Sequence, residues 1–348
     1  MIKIFCTKKL AEMLPEMPKV CTDTLSALDK WCVNLTTVQR RKVVIAICAD
    51  TRFGFVLWGM KKAQFAKLPE LIAMGIRTTF DYYGIRTEIT DDYLSGTPEL
   101  CTGLDRKDAG RLNRLTIDVS NIQFYKLPSE LIPLNVASLI NDIPVDVTKK
   151  DSFFPLSRML DCLQSRYNMK PICRPAFELE ATMDMEKFKV TRKLMVPVDY
   201  TFRDLHRVLQ KAFEWKDYHM YEFIVGQIRI SCADDWDEEP ISLASEIVLS
   251  EHLREGDTFT YLYDFGDGWE IQIHVVSTSS DYDQPQPICT EAVGAAPPED
   301  VGGVYGYLEF LEAYNDPEHP DHDDVKEWVG YSWSPEPKII WINHKLKR

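Results

Sequence analysis

Residues 261–276 read YLYDFGDGWEIQIHVV. Two runs with apolar residues at every second position flank Gly266-Asp267-Gly268, the pattern of a β-hairpin with one buried face. Alternation places Tyr261, Tyr263 and Phe265 on that face and continues it through Trp269, Ile271, Ile273 and Val275. Leu262, Asp264, Glu270, Gln272 and His274 point the other way. Asp264 and Glu270 would then face each other, a like-charge arrangement that costs stability unless a cation or a basic side chain joins them. The glycines of the turn tolerate positive φ, which gives Asp267 a structural role as a turn residue. The inner face reads as core, and the turn as the best site candidate.

Around the hairpin, FELEATMD (177–184) and LMVPV (194–198) read as strands, and MYEFIVGQIRIS (220–231) as a strand pair about Gly226. TFRDLHRVLQKAFEW (201–215) is helical, with Thr201 as N-cap, Asp204 three residues on, and an apolar stripe through Leu205 and Leu209. His206 sits at the edge of that stripe and reads as a boundary residue. A proline-rich loop, the helices YLEFLEAYND (307–316) and DDVKEWVG (323–330), and a last strand, KIIWIN (338–343), complete this half. Strands and helices mix without a βαβ rhythm, so the expected class is α+β with antiparallel or mixed sheets.

The first half has its own pattern. IKIFC (2–6) reads as a strand, RKVVIAICAD (41–50) and RFGFVLWGM (52–60) as a hairpin broken at Asp50-Thr51, and residues 62–85 as a helix. LTIDVSNIQFY (115–125) reads as the closing strand. The expected organisation is an α+β domain over 1–125, a connector with one helix (153–167) over 126–175, and a second α+β domain over 176–348.

At 348 residues, 45% hydrophobic and 11% aromatic, the chain can bury substantial cores. No apolar run reaches the roughly 18 residues of a membrane span, and MIKIFCTKKLAEML lacks the features of a signal peptide, so a cytoplasmic location is expected. Nine scattered cysteines form no CxxC pair and read as reduced, mostly buried thiols, with Cys289 in a polar loop the one expected to be exposed. Residues 1–173 carry 24 basic and 19 acidic side chains, whereas residues 174–348 carry 16 and 35. The acidic half repels phosphate backbones, so nucleic acid is not expected there; a protein partner with a basic surface is. The RR pair at 40–41, with Lys42, reads as a solvated strand edge.

VPVDYTFRDLHRVLQKAFEWKDYHMYEF (196–223), YLYDFGDGWE (261–270), APPEDVGGVYGYLEFLEAYNDPEH (296–319) and EWVG (327–330) together resemble the plasmid pRiA4b ORF-3-like family. CTKKL (6–10), residues 36–52 and DRKDAGRLNR (105–114) are similar to a separate family of small uncharacterised bacterial domains. The first resemblance implies a bacterial or archaeal protein of an accessory, plasmid or mobile-element gene pool, but no established reaction. Where that family usually reads W-E-H after the turn, this chain has Trp269-Glu270-Ile271, and VTRK (190–193) stands where W-R-R is usual.

The candidate site residues are Asp264, Asp267, Trp269, Glu299, Asp300 and His219. Asp264, Asp267, Glu299 and Asp300 could hold a divalent cation if the DFGDGW turn and the PPEDVGG loop meet. Otherwise Asp267 serves its turn and the loop caps the following helix. His319 and His322 lie among five acids in DPEHPDHDD, where solvated side chains before a helix are the plainer reading. WDEEP (236–240) reads as an acidic surface loop. No GxSxG, HExxH, Walker or Rossmann spacing occurs. Two functions stay open: an acidic binding module, which the absent nucleophile, the acidic surface and Ile271 favour, and a metal-dependent hydrolase acting on a nucleotide or nucleic acid.

Overall fold

The computed structural model describes residues 1–21, 25–122, 128–148, 151–185, 188–232, 242–330 and 333–347. The expected acidic loop at 236–240 and residues 123–125 lie outside them. Two units divide the chain, Met1–Cys173 and Arg174–Lys347.

The first unit runs β1 (Lys3–Cys6), α1 (Lys8–Ala11), β2 (Lys19–Val20), β3 (Lys30–Val38), β4 (Arg41–Cys48), β5 (Gly54–Trp58), α2 (Leu68–Tyr82), α3 (Thr87–Tyr93), β6 (Glu99–Thr102), α4 (Arg106–Ser120), α5 (Leu134–Asn141), β7 (Val145–Thr148), β8 (Asp151–Phe153) and α6 (Pro155–Tyr167). Its main sheet has the order β2-β6-β1-β3-β4-β5, and β7 pairs with β8 apart from it. β1 pairs in parallel with β3 and β6, while β3, β4 and β5 are antiparallel. Both faces of this sheet are covered. Val44, Ala46, Phe55 and Leu57 pack with Leu68, Ile72, Ile76 and Phe80 of α2 on one side. Val43, Ile45, Ile47, Val56 and Trp58 pack with Leu112, Val119, Val136 and Ile140 of α4 and α5 on the other.

Two expectations change here. Residues 115–120 are the end of helix α4, not a strand. Leu112 and Val119 are buried while Ile117 is 59% exposed, so period two in LTIDV is overridden by helical burial. The stretch expected as a connector carries two helices, α5 and α6, and Ile132, Ala137, Leu156, Met159 and Leu163 join the core of the first unit.

The second unit contains β9 (Arg174–Asp184), β10 (Lys189–Pro197), α7 (Phe202–Ala212), β11 (Tyr221–Val225), β12 (Ile228–Ser231), β13 (Ser242–Leu243), α8 (Leu249–His252), β14 (Thr258–Tyr263), β15 (Trp269–Tyr282), β16 (Ile288–Val293), α9 (Gly303–Asn315), α10 (His322–Val329) and α11 (Ile339–Leu346). Its sheet has the order β13-β12-β11-β14-β15-β9-β10-β16 and is antiparallel except for β12 with β13. One face forms a core with α7, α9 and α11, through Leu205, Leu209, Tyr307, Phe310, Ile342 and Leu346. Glu270, Gln272 and His274 alternate with that core and are exposed. The expected α+β class holds. The Thr201–Asp204 capping box forms as read, with the Asp204 amide donating to Thr201 Oγ1 at 3.2 Å.

KIIWIN forms helix α11 instead of a strand, with Ile342 and Leu346, four residues apart, buried. Cys289 is 2% exposed, contrary to expectation, because β16 carries it into the core. His206 is likewise buried.

Candidate functional site

The β14–β15 hairpin pairs Tyr261 with Ile271, Leu262 with Glu270 and Tyr263 with Trp269. Asp264 therefore lies beyond the last pair, and the expected Asp264–Glu270 opposition does not occur. Glu270 is exposed and accepts from Gln272 Nε2 at 2.7 Å. The strand ends at Tyr263, so Phe265 falls in the turn at 58% exposure instead of continuing the core face.

The turn reverses the side chain of Asp264. Its φ of 53° is left-handed, and its Oδ1 accepts from the amides of Gly266 and Asp267 at 3.0 and 3.3 Å. This Asx-type arrangement buries the carboxylate to 7% exposure and leaves Oδ2 facing His219 Nε2 at 3.5 Å. Asp267 turns towards the second loop, where its Oδ2 accepts from the Gly302 amide at 3.2 Å. The two loops thus meet, as the metal reading requires.

From the PPEDVGG loop, Asp300, with φ of 61°, brings Oδ1 to 2.8 Å from His219 Nε2. Glu299 Oε1 lies 3.8 Å from the same nitrogen. Glu299 is held on both oxygens: Tyr263 Oη donates to Oε1 at 2.5 Å and the Lys216 amide to Oε2 at 2.7 Å. Burial first, then the Glu299 carboxylate, push the Tyr263 phenol well above its ordinary value, so it stays a hydrogen-bond donor.

His219, Asp264 and Asp300 each present a ligand atom, all within 4.8 Å of one another. Glu299 stands beside them as a fixed carboxylate. Asp267 contributes to the scaffold, since its outer oxygen is committed to Gly302. Trp269 lies behind the site, 2% exposed and stacked with Trp215, which in turn stacks on Tyr263 at 4.8 Å. These rings stiffen the platform, and Tyr263 ties it to the carboxylates through its bond to Glu299. His219 is partly exposed and Asp300 largely so, which leaves the centre open on one side.

A cavity of about 130 Å³ adjoins it, lined by Glu299, Asp300, Lys216, Trp333 and Arg192. Arg192 is fully buried; its Nε donates to Ala212 O at 2.8 Å, while Nη2 has no partner. Sequence reading passed over Arg192, Lys216 and Tyr263. Tyr263 looked like core alone, and nothing local marked the strand position of Arg192 as inward.

The histidines of DPEHPDHDD do not form a centre. His319 Nδ1 accepts from the Asp321 amide at 3.2 Å, and His322 Nδ1 lies 2.8 Å from Ala313 O.

Comparison with known proteins follows the two units. Residues 175–338 match the family described as plasmid pRiA4b ORF-3-like protein, and residues 3–158 match a domain of unknown function, DUF6933. Both expected resemblances hold. Uncharacterized protein y4hQ of Sinorhizobium fredii (strain NBRC 101917 / NGR234) is 40% identical over 156 residues, 44% of this chain and 80% of that relative. The crystal structure of a protein of unknown function, MM3350 from Methanosarcina mazei Go1, aligns with 32% identity over 47% of this chain and 94% of that chain, at a TM-score of 0.41.

Proposed function

We propose that this chain, which belongs to the plasmid pRiA4b ORF-3-like family through its C-terminal unit, is a metal-dependent hydrolase with a divalent cation held by His219, Asp264 and Asp300. One observation carries the reading. Asp264, Glu299 and Asp300 converge on a single imidazole, and among the described residues no lysine or arginine pairs with any of them. Two of those carboxylates are buried, and buried negative charge without a countercharge is costly. A divalent cation supplies that countercharge.

Imidazole with carboxylates suits a first-row ion, and three protein ligands on an open surface leave positions for water and substrate. Such an ion lowers the pKa of a bound water into the neutral range. The protein's own part is positional. Tyr263 and the Lys216 amide fix Glu299, the turn amides aim Asp264, and the Arg192-lined cavity offers positive charge to a small anionic group. A phosphate-bearing small substrate fits that pairing better than a polymer, because residues 174–348 carry a surplus of nineteen acidic charges (35 against 16).

The acidic surplus also supports a second reading, an interaction module for a basic protein partner. Calorimetric titration of chelator-treated protein with Mn²⁺, Zn²⁺ and Mg²⁺ separates the two, beside Asp264→Asn and His219→Ala. The hydrolase reading expects micromolar binding of at least one ion, weakened about tenfold or more in each variant, and metal-dependent cleavage of bis(p-nitrophenyl) phosphate. Equal binding by parent and variants removes the metal centre and leaves the interaction module.

A further inference from the structure

The first unit holds a cavity of about 1020 Å³, of the size that takes a mononucleotide. Six cationic side chains line it: Arg52, Arg106, Lys107, Arg111, Arg114 and Arg158. Three acids, Asp50, Asp118 and Asp146, share the wall, so the lining has a surplus of three positive charges (6 against 3).

The arrangement follows from the chain. On α4, Arg106, Gly110, Arg114 and Asp118 recur every four residues, with Arg111 beside them, and so share one helical face. Arg52 comes from the β4–β5 turn, where its φ is 63°, and Arg158 from α6. Ile140, Ile143 and Phe153 give the cavity an apolar wall. A Cβ at Gly110 would meet nothing within 4 Å, so the helix leaves open room there.

Among the described residues, the cations other than Arg111 are not spent on neighbouring acids. Arg111 pairs with Asp108 at 2.9 Å and donates to Ala49 O at 3.2 Å. Among the described residues, Arg106, Lys107, Arg114 and Arg158 make no ion pair. Arg52 Nε is buried without a hydrogen-bond partner. Burial, then the nearby Arg111, push the Arg52 guanidinium down to about 10, against the smaller upward pull of Asp108.

We infer that this cavity binds a small phosphorylated molecule with a ring, of the nucleotide class. Guanidinium forks match phosphate oxygens in pairs, which favours arginine over lysine at such a site. The Ile140–Ile143–Phe153 wall suits the flat, apolar part of the same ligand. A polymer is a poorer occupant, because residues 1–173 carry a surplus of only five basic charges (24 against 19).

The test is calorimetric titration of the full chain with AMP, ATP and inorganic pyrophosphate, in chelator so that the carboxylate centre takes no part. Two variants accompany it. Arg114→Gln/Arg158→Gln removes two unpaired cations, and Gly110→Leu fills the cavity while improving helix propensity, so lost folding cannot explain its result. The inference expects AMP or ATP to bind in the micromolar range and more tightly than pyrophosphate. It expects about tenfold weaker binding in the double variant and no binding in Gly110→Leu. It is overturned if neither nucleotide binds up to millimolar concentration, if both variants bind as the parent does, if pyrophosphate binds as tightly as the nucleotides, or if a single-stranded RNA oligomer binds more tightly than either nucleotide.

Discussion

The two sheets solve the same burial problem in opposite ways. In the first unit, every residue from Val43 to Cys48 of β4 is buried, because helices cover both faces. In the second unit, β15 alternates buried and exposed from Trp269 to Val276, because helices cover one face only. The sequence carries the difference openly: VVIAIC is a continuous apolar run, whereas WEIQIHVV alternates. The consequence reaches function. The one-sided sheet places its charged centre where strands end in loops, and the two-sided unit gathers its charge on a helix that already serves as a cover.

Single substitutions test that contrast most strongly. Val44→Ala and Ile45→Ala, on neighbouring positions that face opposite cores, should each destabilise the protein by about 1–4 kcal/mol in chemical denaturation. On the one-sided sheet the neighbours should split: Ile271→Ala costing about 2–4 kcal/mol and Gln272→Ala less than about 0.5 kcal/mol. A mild effect at Ile45, or a severe one at Gln272, would break the comparison.

What could be read from sequence follows the same division. Elements with a strong local signature were legible: the alternating hairpin, and α7 with its capping box. Short apolar runs were not. KIIWIN is six residues of either strand or helix, and only the packing of Ile342 and Leu346 decides for helix. LTIDV satisfies both periods until α4 docks through Leu112 and Val119. At the site, residue types and loops were legible, and His219, Asp264 and Asp300 were all named. The facing of Asp264 and Glu270 is not met because the strand stops at Tyr263, two residues short of the Phe265 to which alternation carries it. Tyr263 and Arg192 stayed hidden because their partners, Glu299 and Ala212, lie 36 and 20 residues away in the chain.

The loops of the carboxylate centre are locked together at Gly303, whose φ is 69° and where a Cβ would stand 2.8 Å from the Asp267 carbonyl oxygen. Gly303→Ala should therefore cost about 1–3 kcal/mol, by left-handed strain and by forcing the turn from the loop. It should also weaken cation binding. Gly226→Ala supplies the control, since its φ is 59° but a Cβ there meets nothing within 4 Å. It should cost about 1 kcal/mol, through strain alone, and leave cation binding unchanged. Equal costs at the two glycines would mean that the loops are not held in contact.

The smallest effect concerns acid, and it falls on one unit because all seven histidines lie beyond residue 173. His206, on the buried side of α7, is stacked on Tyr221 at 3.5 Å, with Nδ1 2.7 Å from Tyr261 Oη and Nε2 2.7 Å from Asp217 Oδ1. The carboxylate fixes the proton on Nε2, so Nδ1 accepts from Tyr261, whose oxygen accepts from Gln210 Nε2 at 3.0 Å. Burial holds the imidazole below its ordinary 6.5, against the smaller upward pull of Asp217. In the unfolded chain the group protonates near 6.5, and in the folded chain only at lower pH. The stability it contributes is therefore intact above that value and declines as pH falls from it towards the folded pKa, by at most about 1.4 kcal/mol per pH unit. His206→Phe keeps the stacked ring and removes the titration. Its denaturation free energy, subtracted from that of the parent between pH 7 and pH 5, should show the parent losing ground as pH falls. A flat difference would mean that Asp217 fully offsets the burial, and a parent that gains ground as pH falls would mean that Asp217 outweighs it.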